Sequence, residues 1–419
     1  MRTAVTPSRQ NRLAWSVVGL LFLGSVINYV DRAALSVVVP QVRKDLDLTN
    51  TEYGLVLQVF LVAYSLAYIL GGRLADRLGY RLSFLLMIVF WSVASVLHAF
   101  AQGFRSLCLY RGMLGIGEGG YYPNAVRGAV EWLPRESRAK AVGLYLCSMS
   151  LGTVFAPPAI AWLALLYGWR LAFVVTGLLG LMLVPPWLWL HGQVRRAYGT
   201  PDPAPALVRT AEKQEGSAGG LSVKDVLKRG KYWLILSSRA VGDVAWYFYL
   251  FWISAYFQEA RGFSLAAIGS LLWIPFLSSA AGSLAGAWAS SALIPRVGLD
   301  RARKAVLVGS AALCMSGTLT CLVPSAGVAL FLVSVTLFGH FSWSSNIHTV
   351  VTEISPPQHL ALLYGITGAA GTLLGGISQP LIGGLIDAAG YPPVFLGTGA
   401  AYIIAVALLL SSGKIEQIR

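Results

Sequence analysis

Gly72-Arg73-Leu74-Ala75-Asp76-Arg77-Leu78-Gly79-Tyr80-Arg81 places three arginines and one aspartate in ten residues between two apolar runs, 51–72 and 82–102. A charged hinge this short, with a run of membrane-spanning length on each side, reads as a tight connection at a membrane face. Gly72 permits close helix approach, and Asp76 can accept hydrogen bonds from the N-terminus of a facing helix. The arginines hold the connection on the cytoplasmic side.

The pattern continues outward in both directions. A chain of 419 residues that is 56% hydrophobic and 12% charged cannot enclose its apolar surface in one soluble core. Apolar stretches near 14–40, 51–72, 82–102, 105–133, 138–166, 169–191, 231–258, 264–293, 303–323, 326–353, 359–387 and 391–412 predict an all-α membrane protein of twelve transmembrane helices. The first run continues into Asn28-Tyr29-Val30-Asp31-Arg32 rather than a small-residue cleavage site, so it reads as a retained helix. The net charge of +14 gathers in alternate connections: Arg2, Arg9 and Arg12; Arg73, Arg77 and Arg81; Arg135, Arg138 and Lys140; Arg301, Arg303 and Lys304. That distribution argues against nucleic acid and puts both termini in the cytoplasm, Arg43 and Lys44 being the exception. Cys108, Cys147, Cys314 and Cys321 lie in apolar runs without CxxC spacing, so they read as packing rather than a disulfide framework or a metal site.

The stretch 192–229 is the one long polar interruption, and Pro201-Asp202-Pro203-Ala204-Pro205 and Gly216-Ser217-Ala218-Gly219-Gly220 give it linker chemistry. The expected organisation is a six-helix bundle over 1–191, a cytoplasmic linker over 192–229 and a second six-helix bundle over 230–419. An offset of 222 residues lays Pro134 on Pro356, Gly143 on Gly365, Pro158 on Pro380, Gly168 on Gly390 and Phe173 on Phe395. These matches make the halves parallel repeats.

Two such repeats, with the hinge motif between the second and third stretches, resemble the major facilitator superfamily. The resemblance implies a substrate site between the halves and a conformational latch formed by Gly72, Asp76, Arg77, Gly79 and Arg81. The second half keeps a partial copy, Gly286 followed by Arg296, Gly298, Arg301 and Arg303, with Ser290 where the acid would stand. A weaker latch is expected there.

Ionisable groups at bilayer depth each cost about 2.5–3.5 kcal/mol to insert at a helix centre, and are seldom kept without use. They are Asp31 and Arg32; Arg111, Glu118 and Arg127; Arg239 and Asp243; His340 and His348. Neighbours on a helix point about 100° apart, so Asp31 and Arg32 need partners on other helices. Arg111 and Glu118 lie two turns apart on one helix face, which predicts Asp31 with Arg111 and Arg32 with Glu118. An anion that captures the arginine can release the carboxylate to bind a proton. The plainer reading is that these pairs fix helix packing; the two histidines are equally open to titration or to hydrogen-bonded packing.

Asn28-Tyr29-Val30-Asp31-Arg32-Ala33-Ala34-Leu35-Ser36 is similar to the first-helix signature of the anion:cation symporter family, as is the fourth stretch with Arg111-Gly112, Gly117-Glu118-Gly119-Gly120 and Pro123-Asn124. Asp243-Val244-Ala245-Trp246-Tyr247-Phe248-Tyr249-Leu250-Phe251-Trp252 and Gly339-His340-Phe341-Ser342-Trp343-Ser344-Ser345-Asn346 resemble the bacterial hexuronate branch. The resemblance implies a proton symporter of hexuronates or related sugar acids in the inner membrane, working by alternating access. Asp31 and Glu118 would titrate. Tyr29, Arg32, Tyr64, Arg111, Trp343, Ser344 and Asn346 would bind substrate, and Tyr121, Asp243, Trp246, Tyr247 and His340 are candidates for binding or gating. No cofactor is expected beyond the proton gradient, and a monomer is expected. Leu146-Cys147-Ser148-Met149-Ser150 lacks the amide that family members carry there, which leaves the sugar acid open. An organic-anion exchanger or facilitator is the alternative, and a non-transporting membrane receptor the alternative of another class. No nucleophile–base pair or metal-ligand spacing supports an enzyme.

Overall fold

A computed structural model describes residues 7–131, 133–198 and 223–418, which are almost wholly helical with no strand among them. The helices are α1 (Pro7–Val37), α2 (Val39–Leu46), α3 (Asn50–Leu78), α4 (Tyr80–Leu97), α5 (Phe104–Glu131), α6 (Arg135–Leu181) and α7 (Val184–Tyr198). After the central connection come α8 (Val223–Leu227), α9 (Gly230–Glu259), α10 (Leu265–Leu271), α11 (Trp273–Val297), α12 (Leu299–Cys314), α13 (Ala326–Ile354), α14 (Leu360–Ala389) and α15 (Pro392–Ser411). Most of the expected linker lies outside the described residues.

Among the described residues, seven stretches are long and apolar enough to cross a membrane. They take up eight of the expected spans, because Glu136–Val194 contains two, divided where Gly168 leaves the helical conformation. Of the other four expected spans, 51–72, 105–133 and 231–258 fall in α3, α5 and α9, while 303–323 begins in α12 and passes into a 3-10 turn at Met315–Leu319. In α5 and α9, ionisable, glycine and aromatic residues dilute the apolar character. Large apolar side chains point outward, Leu284 at 75%, Trp288 at 74% and Leu381 at 67% exposure, while Ser92, Ser95, Ser238 and Thr336 are buried. This arrangement suits a lipid surround and would not suit water.

The described residues form two compact units, those of 7–38 with 59–198, and those of 39–58 with 223–418. In the first, α1 packs along α6, and α4 packs on α5 and α6. In the second, α11 packs on α13, and α9 on α14 and α15. The internal repeat is visible in the backbone. Gly79, between α3 and α4, has φ 74° and ψ 150°; Gly298, between α11 and α12, has φ 80° and ψ 163°. Both turns need a left-handed residue, which glycine supplies without Cβ strain.

Residues 39–58, which are α2 and the first turns of α3, are tied into the second unit by side chains. Arg43 pairs with Glu259 at 2.8 Å, and the Tyr53 hydroxyl donates to the Phe251 carbonyl at 3.0 Å. Asp387, in the last turn of α14, caps the N-terminus of α3. Its Oδ1 accepts from Asn50 N (3.1 Å) and Nδ2 (2.8 Å), and its Oδ2 from Thr51 N (2.8 Å) and Oγ1 (2.7 Å). A carboxylate there satisfies orphan amides and complements the helix dipole. Asp387→Ala should therefore destabilise the protein by about 1–2 kcal/mol, seen as a lower Tm in thermal unfolding of the purified protein, with Asp387→Asn in between. An unchanged Tm in Asp387→Ala would show that the cap contributes nothing.

Candidate functional site

In the first unit, α1, α3 and α5 bring one charged cluster together. Arg32 Nε donates to Glu118 Oε2 at 2.8 Å, with the two side chains 11% and 0% exposed. The Arg32 guanidinium lies 4.6 Å from the ring centre of Tyr29, 4.7 Å from that of Tyr64 and 5.9 Å from that of Phe60. Such an aromatic cradle stabilises a cation where water is scarce. Arg111 donates Nη2 to the Arg32 carbonyl at 3.0 Å and faces Phe60 at 4.9 Å.

Glycines create this geometry. A Cβ on Gly119 would collide with the Tyr64 carbonyl oxygen, so its absence lets α5 touch the α3 backbone and sets Glu118 next to the tyrosine cradle. A Cβ on Gly152 would strike Cβ of Tyr29, so α6 fixes that tyrosine in the same way.

One of the two expected ion pairs has formed, Arg32 with Glu118. Asp31 takes another partner, accepting a hydrogen bond from Ser95 Oγ at 2.8 Å. The cause is the turn between neighbours on α1: with Arg32 aimed at α5, Asp31 points toward α4. Tyr121 is buried and donates its hydroxyl to the Leu21 carbonyl at 2.9 Å, with Phe84 and Trp91 against its ring, which places it in the packing.

In the second unit the expected residues divide into two groups. Trp246 lies nearly parallel to His340 at 5.5 Å, and His340 Nδ1 hydrogen-bonds the Tyr402 hydroxyl at 2.6 Å. Tyr247 donates to Thr372 at 3.1 Å, and Asp243 stands near Arg239. Asn346 belongs elsewhere, joined to Arg303 Nη1 at 3.4 Å and to the Ser342 carbonyl at 3.0 Å. Trp343 is buried beside Tyr402, and Ser344 is half-buried.

Of the latch residues, Gly72 and Asp76 lie outside the described side chains, Arg77 and Gly79 are exposed and Arg81 is half-buried. The counterpart in the second half is not as depleted as its sequence indicates. Arg303 donates to Ser290 at 2.7 Å and to Glu353 at 2.8 Å, so α13 supplies the acid that the loop lacks. Phe60, Ser95 and Glu353 were not singled out by the sequence, whereas Arg239 was, as an ionisable group in an apolar stretch. Of the three, Phe60 carried a signal, standing one helical turn from Tyr64.

The Arg32–Glu118 pair makes a double-mutant test. Arg32→Ala leaves Glu118 buried without a counter-charge and should cost about 3–5 kcal/mol. Arg32→Ala with Glu118→Gln should recover most of that loss in Tm; equal Tm values for the single and double variants would show that the two charges do not depend on each other.

The Major Facilitator Superfamily model matches residues 21–378. The chain is 26% identical over 389 residues to the hexuronate transporter of Escherichia coli K12, covering 91% of this chain and 90% of that one. It is 28% identical over 434 residues to the D-galactonate transporter of Escherichia coli O6:H1, over the full length of both. Its fold is similar to a bacterial homologue of the human lysosomal transporter Spinster, with a TM-score of 0.75, 20% identity, and 96% and 95% of the two chains covered.

Proposed function

Since this chain belongs to the Major Facilitator Superfamily, a family of multi-pass membrane transporters and not of enzymes, we propose that it imports a hexuronate or related sugar acid together with protons. Import proceeds by alternating access across a bacterial inner membrane, with both termini cytoplasmic and the proton gradient as the only driving agent. The sugar-acid relatives support the substrate class.

The observation that carries the coupling is the Arg32–Glu118 pair, sealed at membrane depth under Tyr29 and Tyr64. Arginine recognises carboxylates through two parallel donors. A substrate carboxylate that takes the guanidinium leaves Glu118 buried without its counter-charge, and a carboxylate in that position binds a proton. Proton and anion then travel together, because each removes the cost of burying the other. Tyr29 and Tyr64 offer ring faces to the sugar carbons and hydroxyls to its oxygens. Asp31, held by Ser95 on the neighbouring position of α1, is the second acid of the cluster.

Labelled glucuronate, galacturonate and galactonate should accumulate in proteoliposomes of the wild type under an inward proton gradient. Glu118→Gln should abolish accumulation while counterflow exchange survives. Accumulation by Glu118→Gln equal to the wild type would remove that acid from coupling. Uptake of none of the three would overturn the substrate class.

A further inference from the structure

The second unit holds another buried arginine–carboxylate pair, built differently from the first. Arg239 Nε stands 3.7 Å from Asp243 Oδ2, one turn along α9, close enough for an ion pair and too far for a hydrogen bond. Arg239 is anchored by other groups: Nη1 donates to Thr367 Oγ1 at 2.7 Å, and the guanidinium faces the Tyr364 ring at 5.4 Å. Asp243 is held by shape. A Cβ on Gly371 of α14 would collide with its carboxylate, which fills the notch that this glycine leaves.

Exposure separates the two pairs. The Glu118 side chain is 0% exposed and that of Asp243 is 19% exposed. Glu118 is sealed from solvent with one oxygen held by Arg32, whereas Asp243 is partly open and stands beyond hydrogen-bond distance of its arginine. The ionisable groups that act on it are Arg239 on α9, Tyr364 on α14 and Tyr402 on α15; beyond these, His340 on α13 bonds Tyr402, and His348 on α13 stands near Arg239 and His340. Among these described residues Asp243 is the one carboxylic acid.

Building on the proton-coupled reading above, we propose that Asp243 carries a further transported proton and that Arg239 couples it to the anion. When an Asp243 oxygen takes a proton from one side of the membrane, Arg239 loses its counter-charge and attracts an anion. When the proton leaves to the other side, the carboxylate regains Arg239 and competes with the anion for it. The O–H bond formed and broken at Asp243 is the only covalent change. The net movement is one proton more than Glu118 and Asp31 account for.

The test is the equilibrium accumulation ratio of the sugar acid in proteoliposomes, under an inward gradient of one pH unit with the membrane potential clamped at zero. Each coupled proton multiplies that ratio by about ten per pH unit. Asp243→Asn should lower the ratio about tenfold while counterflow exchange still runs. Because asparagine leaves Arg239 uncompensated, Arg239→Gln with Asp243→Asn is measured beside it, with Tm as the check on folding; it should show the same drop in the ratio, with slower exchange because the guanidinium that attracts the anion is gone. An unaltered ratio in both variants, next to a wild type that responds to the gradient, overturns this inference alone. Loss of exchange in both folded variants overturns it as well, by showing that Asp243 is required for substrate movement itself. A wild type that ignores the gradient overturns the proton-coupled reading, and this inference with it.

Discussion

The structure of the first unit turns on the ion pair between Arg32 and Glu118, closed at 2.8 Å with both side chains buried. Neither charge can remain at membrane depth alone, since an isolated buried ion costs several kcal/mol after relaxation. Each therefore dictates where the other must be, and α1 and α5 are brought together to meet that demand. Replacing such a pair by apolar residues is often neutral or stabilising, so stability alone does not account for its presence in so apolar a protein; under the proposed function it is there to exchange partners. An anion and a proton are the two species that can replace the partners one at a time.

Small residues make the arrangement possible. Gly119 lets α5 approach the Tyr64 carbonyl, Gly152 lets α6 approach Tyr29, and Gly371 in the second unit receives Asp243. A methyl group at any of these positions would meet the backbone or side chain of a candidate site residue, and in close helix contact there is no slack to absorb the shift. The glycine content that gives α5 its weak hydropathy is thus the same feature that positions its acid.

The sequence revealed much of this because ionisable residues are rare in apolar stretches, and because a helix separates neighbouring side chains by a known angle. Arg32 with Glu118 followed from those two facts. Asp31 with Ser95 did not, since a serine in an apolar run looks like any other small residue until the fold sets it beside an acid 64 positions away. The acid for Arg303 was sought within its own loop and comes instead from Glu353 on α13, 50 residues on. Gly79 and Gly298 correspond in the two copies of the hinge motif although they are 219 residues apart, three short of the offset that matched the later helices, so the motif and not the offset revealed them. Apolar length pointed to the spans but was diluted in α5 and α9, where charged, glycine and aromatic residues are concentrated.

The central claim is that anion binding at Arg32 draws in a proton, and it can be measured without a membrane. The purified protein is mixed with glucuronate or galactonate in weakly buffered detergent solution, with a pH indicator reading proton exchange and calorimetry reading binding. The account predicts net proton uptake in proportion to the sites filled, and its loss in Glu118→Gln. Saturable binding with no proton taken up would contradict it.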